Sequence, residues 1–353
     1  MMKKLNIKID GEYILSITGS ILLALLLGAV IMVLNGKNPI LGYGALITGA
    51  FGNKYAIATT LTKTVPLILT GLATAIAFMS GIFNIGGEGQ LYLGAFAATY
   101  IGFTFKGLPA GIGIILAVLC SAVVGAALAY IPAILKVKFK IDEVIVCVML
   151  NSIAMLFTGY LVNYPFKATD GSMGGSNLIA DQYRFTRLVQ VAKLNTSIIY
   201  AAMIAILIYY LVKKTSYGYN FRMIGENNVF SKYMGLSTEK YMIVAMLISG
   251  ALCGVAGAFE VYGMHYRFLT NLSKGYAFDG MLISLIVKNS PVGIVIMSIF
   301  FAALKTGSVV MELETGISSE LVAVIQALII LFMAGESGFK ALFRRKKLSK
   351  KEA

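Results

Sequence analysis

Tryptophan is absent from this chain, histidine occurs once, and only three of its 353 residues are cysteine. Without Trp, any aromatic belt at a membrane–water interface falls to the 19 tyrosines. The one histidine, His265, lies at an outer span end beside Arg267. With no Cys or carboxylate at ligand spacing it argues against a metal site and against histidine catalysis. Cys120, Cys147 and Cys253 sit singly inside apolar segments, so they read as small core hydrophobes rather than disulfides or ligands. Charge is scarce too: 13% of residues carry it, against roughly 25% in soluble domains. With 58% hydrophobic residues and a mean hydropathy of +0.82, no soluble fold could hide the apolar surface. Apolar runs near the length of a membrane span recur along the chain.

Other absences narrow the chemistry. No Ser/His/Asp, Cys/His or paired-carboxylate arrangement occurs, which argues against an intramembrane enzyme. No GxxxxGK[ST] occurs either. If ATP drives this protein, another chain binds it. The net charge of +14 does not indicate nucleic acid, because no basic face alternates with exposed aromatics. Instead the charge follows the positive-inside rule. With a cytoplasmic N-terminus, 19 of the 30 Lys and Arg fall inside: Lys3, Lys4, Lys8, Lys136, Lys138, Lys140, Lys288, five in the loop 213–240, and seven in the C-terminal tail. The basic tail reads as a cytoplasmic segment against anionic membrane lipid.

The expected fold is all-α, a polytopic membrane helix bundle of about ten transmembrane helices with both termini cytoplasmic. The spans are 14–34, 57–81, 88–106, 109–135, 143–164, 196–212, 241–263, 276–288, 291–308 and 318–335. The first run is too long for a signal peptide and reads as an uncleaved span. The eighth is short and Gly-flanked, the pattern of a half-helix or re-entrant segment. The loop 165–195, with Gly171, Gly174 and Gly175, falls outside; the loop 213–240 falls inside.

Two segments carry the polar chemistry. In Gly81 to Gly94 (GIFNIGGEGQLYLG), Asn84, Glu88 and Gln90 stand among glycines between two apolar spans. Unwound backbone in a membrane is tolerated where it is buried in protein or lines water, and a carboxylate there is functional by default. The other reading is a cytoplasmic turn whose solvated Glu88 caps the next helix. The second half holds a counterpart, Leu272 to Gly280 (LSKGYAFDG), with Asp279. Paired interrupted segments mark a transport pathway, though Gly-rich loops joining spans would look alike. Lysines at span edges can snorkel, so Asp279 ranks above Lys63, Lys288 and Lys305 as a pathway residue. Asp142 and Glu143 read as charges at a helix N-terminus, and Gly250-x-x-x-Gly254 as a helix-packing pair.

In the inside loop, Asn227 or Asn228 can cap a short helix. Val229, Phe230, Tyr233 and Met234 then form an apolar strip, and Gly235 is a natural stop. Such a helix either lies flat on the bilayer or docks into a groove on a cytoplasmic partner.

The stretches GIFNIGGEGQLYLGAFAA and GYNFRMIGENNVFSKYMGLSTEKYMIVAMLISGALCGVAGAFE resemble the permeases of bacterial ABC importers for simple sugars and nucleosides, grouped with the ribose and branched-chain amino acid permeases. The resemblance runs over about residues 10–340, and FNIGGEGQ looks most like the nucleoside permeases. It implies a permease domain over 1–340, with a basic tail at 341–353. It implies a bacterial plasma-membrane transport subunit for nucleosides, or for sugars such as ribose, without an ATPase site of its own. ATP and Mg would be bound by a partner ABC ATPase; a second, non-identical permease and an extracellular substrate-binding lipoprotein complete the assembly. Gly225, Glu226, Asn227, Asn228, Phe230, Ser231, Met234 and Gly235 would couple to the ATPase. Asn84, Glu88, Gln90 and Asp279 would lie by the pathway, Asp279-Gly280 matching the family's G-[FY]-x-[FG]-D-[GA]. The family has alanine or glycine where this chain has Lys288-Asn289. The alternative is a stand-alone, ion-coupled secondary transporter using Glu88 or Asp279.

Overall fold

The computed structural model describes residues 11–169, 174–189 and 193–334. Lys3, Lys4, Lys8, Gly171 and the basic tail lie outside them. Thirteen α-helices account for the described architecture, with no strand beyond isolated bridges. The residues fall into two compact units, one built from 57–302 and the other from the described parts of 1–56 and 303–353.

The second of these holds α1 (Gly11–Leu34), α2 (Pro39–Phe51), the end of α12 (Pro291–Thr315) and α13 (Glu320–Ala334). Helix α2, with its three glycines, was not among the expected spans. Its start signal is plain in hindsight, since Asn38 accepts from the Ile40 amide at 2.9 Å with Pro39 at the first helical position. The glycines serve packing. A side chain at Gly49 would come within 2.5 Å of Val310, and one at Gly42 within 2.7 Å of Ile317. At about 20 Å, thirteen residues fall short of the ~30 Å hydrocarbon core.

Unit 57–302 contains most of α3 (Lys54–Met79), then α4 (Gly87–Thr104), α5 (Ala110–Phe139), α6 (Glu143–Asn163), α7 (Ser197–Lys214), α8 (Ser216–Glu226), α9 (Asn228–Tyr233), α10 (Thr238–Glu260) and α11 (Tyr276–Ile286). Its centre is a seam of small residues between α4, α5 and α10. A Cβ on Gly94 would run into the Gly254 backbone, one on Gly254 into the Ser121 carbonyl, and one on Gly125 into the Gly250 carbonyl. Helices in lipid associate by such close backbone approach, since hydrocarbon offers no hydrophobic drive between them.

Every expected span coincides with a helix. By length and composition, however, six described segments can cross a membrane: α3, α5, α6, α7, α10 with its extension to His265, and α12. The described apolar part of α1, with α2, α11 and α13, is shorter. The long connection after α6 packs down onto the end of α10. The amide of Ser176 donates to the Phe268 carbonyl and that of Phe185 to Tyr262, each at 3.0 Å.

Lys288 and Asn289 both have left-handed backbone (φ 51° and 60°). That conformation disfavours a side chain by about 1–2 kcal/mol. Lys288→Gly is therefore expected to stabilise the solubilised chain by about 1 kcal/mol, read as a higher thermal unfolding midpoint; a lower midpoint would contradict the strain.

Candidate functional site

Helix α3 ends at Met79 and α4 starts at Gly87; between them the chain is unwound. Gly81 makes the exit turn with φ +76°. The middle of the unwound segment is not at the surface: Ile82, Asn84 and Gly86 are buried, while Gly81 and Phe83 are exposed. Gly87 lies against Cys253, which is roughly 22 Å along α10 from its first residue. Backbone groups at that depth need partners from protein, and the polar side chains of the motif and its neighbours supply them. Asn84 and Gln90 pair reciprocally through their amides at 2.9 and 3.0 Å, and Asn84 also donates to Ser249 of α10 at 2.8 Å. Asn151 of α6 accepts from the Gly89 amide at 2.8 Å and donates to the Ile85 carbonyl at 2.9 Å. Glu143, 4% exposed, pairs with Lys136 at 2.6 Å and accepts from the Phe83 amide at 3.4 Å. Of the two expected N-terminal charges, Asp142 is the true cap of α6, accepting from Val144 at 2.8 Å. Glu143 instead anchors the unwound strand.

Glu88 is 3% exposed, so the reading as a solvated turn does not hold. Nor does its carboxylate cap α4. It reaches across to the second interrupted segment, where Oε2 accepts from the Ala277 amide at 3.0 Å. The Ser273 hydroxyl and the Gly275 amide face the same carboxylate. Gly275 stands at the N-cap of α11 with φ +82° and no side chain to offer, so Glu88 supplies the missing acceptor from 189 residues away. Tyr92 reinforces the junction, donating to the Ser273 carbonyl at 3.1 Å, and Thr70 of α3 donates to the Tyr276 carbonyl at 3.0 Å. The two halves thus meet helix start to helix start, and α11, with 11 residues, begins inside the unit as a half-helix.

Asp279 sits half-buried in the first turn of α11, within electrostatic reach of Glu88. The structure adds a carboxylate that the sequence reading passed over. Glu260 is 3% exposed where α10 gives way to a π-helical turn, Val261–His265, and its Oε2 lies 3.4 Å from His265 Nε2. Glu88, Glu260 and Asp279 all act electrostatically on the buried Tyr276. A lone acid inside the span 241–263 was the available signal. Among the described residues no group of three His, Cys, Asp or Glu could hold a metal ion.

The loop 213–240 folds into α8 and α9. Asn227, not Asn228, caps α9, accepting from the Phe230 amide at 2.9 Å. Gly235 ends the turn with φ +83°. Val229, Phe230, Tyr233 and Met234 are 67, 49, 87 and 65% exposed, an apolar strip with no cover among the described residues. Glu226 and Asn228 are exposed beside it, while Ser231 is buried.

The sequence model described as branched-chain amino acid transport system / permease component matches residues 56–334. The chain belongs to that permease family. It is 37% identical to the guanosine ABC transporter permease protein NupP of Bacillus subtilis (strain 168), over 95% of this chain and 96% of that protein. It is 33% identical to the nucleoside ABC transporter permease protein NupB of Lactococcus lactis subsp. cremoris, covering 89% of each. To the glucose ABC transporter permease protein TsgB13 of Haloferax volcanii it is 30% identical, over 91% of this chain and 87% of that one. The protein is therefore a multi-pass permease component of the plasma membrane, and the reading as a stand-alone secondary transporter falls.

Proposed function

We propose that this permease forms the translocation pathway for nucleosides in an ATP-binding cassette importer, with simple sugars as the second substrate class. The observation that carries the choice is the likeness to guanosine and nucleoside permeases at 37% and 33% identity, above the 30% to the glucose permease. A separate ATPase binds ATP and Mg and drives the cycle. An extracellular binding lipoprotein delivers solute, and a second, non-identical permease completes the pathway. The chain itself supplies no catalytic group. About ten spans with both termini cytoplasmic agree with the basic residues of α8, α9 and the C-terminal end of α5 lying on one side.

In this reading Asn84, Glu88, Gln90 and Asp279 lie by the pathway, and the exposed strip of α9 docks on the ATPase. Two packings of the bundle alternate, each favoured by a different state of the partners. The motif's polar side chains hold unwound backbone in one of them. Co-purification from the native host tests the assembly: an ATPase and a second permease should accompany the tagged chain. The co-purified binding protein should then prefer nucleosides over hexoses and pentoses. Recovery without any ATPase after crosslinking, or preference for free sugar, would overturn the corresponding part.

Phe230→Asp puts a charge on the docking strip, and a bulky residue at Gly235 meets its left-handed φ. Each is expected to abolish uptake while the chain still reaches the membrane, measured by radiolabelled nucleoside uptake beside a membrane immunoblot. Unchanged uptake would remove α9 from the coupling role.

A further inference from the structure

The polar unwound segment touches α8, the helix that leads into the docking helix α9, at Gly225. At the end of α8, the Cβ that Gly225 lacks would point into the Met79 carbonyl and lie 3.3 Å from the Gly81 amide nitrogen. Reciprocally, a Cβ on Gly81 would lie 3.4 Å from the Gly225 Cα and 3.8 Å from the Ile224 carbonyl. Two backbones therefore meet with no side chain between them. The outer side of Gly225 is open, but its missing side chain faces inward. Both sides of the contact are firmly held. Phe221 and Ile224 of α8 are 0% and 1% exposed, and Asn220 donates to Tyr241 of α10 at 2.8 Å. From Gly81 the chain runs directly through Asn84 and Gly86 to Glu88, whose carboxylate caps α11.

We infer that Gly225 is a positioning residue for transport: its contact with Met79 and Gly81 is the joint through which α8 and α9 move the unwound strand and, at its far end, α11. The inference rests on the importer reading above. A backbone-to-backbone contact between two anchored segments transmits displacement without the slack of a flexible side chain. Side-chain contacts would absorb the first part of any motion by changing rotamer. It also separates Gly225 from the docking role that the family resemblance attached to it; docking belongs to the strip of α9.

The test uses the complete co-purified complex in proteoliposomes and reads solute moved per ATP hydrolysed. Gly225→Ala should keep the ATPase bound and lower that ratio about tenfold. Ile224→Ala perturbs the same joint in the opposite sense, by removing bulk, and should lower the ratio as well. A purely structural defect would reduce hydrolysis and transport together and leave the ratio at its wild-type value, which would overturn the inference. Loss of the bound ATPase in Gly225→Ala, as expected for Phe230→Asp, would overturn it too and return Gly225 to the docking surface. If the wild-type chain recovers no ATPase, the importer reading itself fails and the joint has nothing to transmit.

Discussion

Glu88→Ala is expected to cut solute uptake by about a hundredfold with normal amounts of chain in the membrane. The carboxylate accepts from Ala277 and faces Ser273 and Gly275. Alanine leaves those donors at the start of α11 without that acceptor, at a cost of about 1–3 kcal/mol for each of the buried ones, Ser273 and Ala277. A loss near 3 kcal/mol shifts the population of the intact packing by about two orders of magnitude. Glu88→Gln keeps one acceptor oxygen and should lose only about tenfold, because it gives up the favourable charge at the helix N-terminus. Uptake measured per unit of membrane protein for both variants decides the matter. Equal uptake by Glu88→Ala and wild type would show that the junction of the two interrupted segments has no part in transport.

The second large effect falls on folding. Gly254→Val is expected to prevent accumulation of the folded chain. Gly254 closes two contacts at once, its missing Cβ facing the Ser121 carbonyl while its own backbone blocks Gly94. Backbone cannot yield as a side chain tip does, so α4, α5 and α10 would have to separate along their length. Overpacking a close core costs about 1–3 kcal/mol even where side chains can adjust, and in lipid the lost contact is itself the main attraction between helices. Gly19 in α1 is the control: nothing among the described residues lies within 4 Å of the site of its Cβ, so Gly19→Val should be tolerated. A fluorescent fusion run by size exclusion reads both. A monodisperse Gly254→Val at wild-type level would mean that the seam is looser than drawn.

Which helices exist was largely legible in the residues, because helix formation and hydropathy are local. The ten expected spans all coincide with helices, and the cap, strip and stop of α9 were readable from Asn227 to Gly235. Helix α2 was not among the expected spans, and its glycines Gly49 and Gly42 are set by contacts with Val310 and Ile317, residues far along the chain. The motif around Glu88 announced itself by composition, yet its two readings could not be separated. A solvated cap and a buried staple have the same local sequence. Only the tertiary structure decided between them, by placing Gly87 against Cys253 and Glu88 on Ala277. The same holds for Glu143, for Glu260 and for the contact of Gly225 with Gly81. By itself, then, the sequence determined the solvent, the helices of the expected spans and the permease family. The partners of the buried polar groups were left to the fold, because those partners lie tens to hundreds of residues away and no local pattern records them.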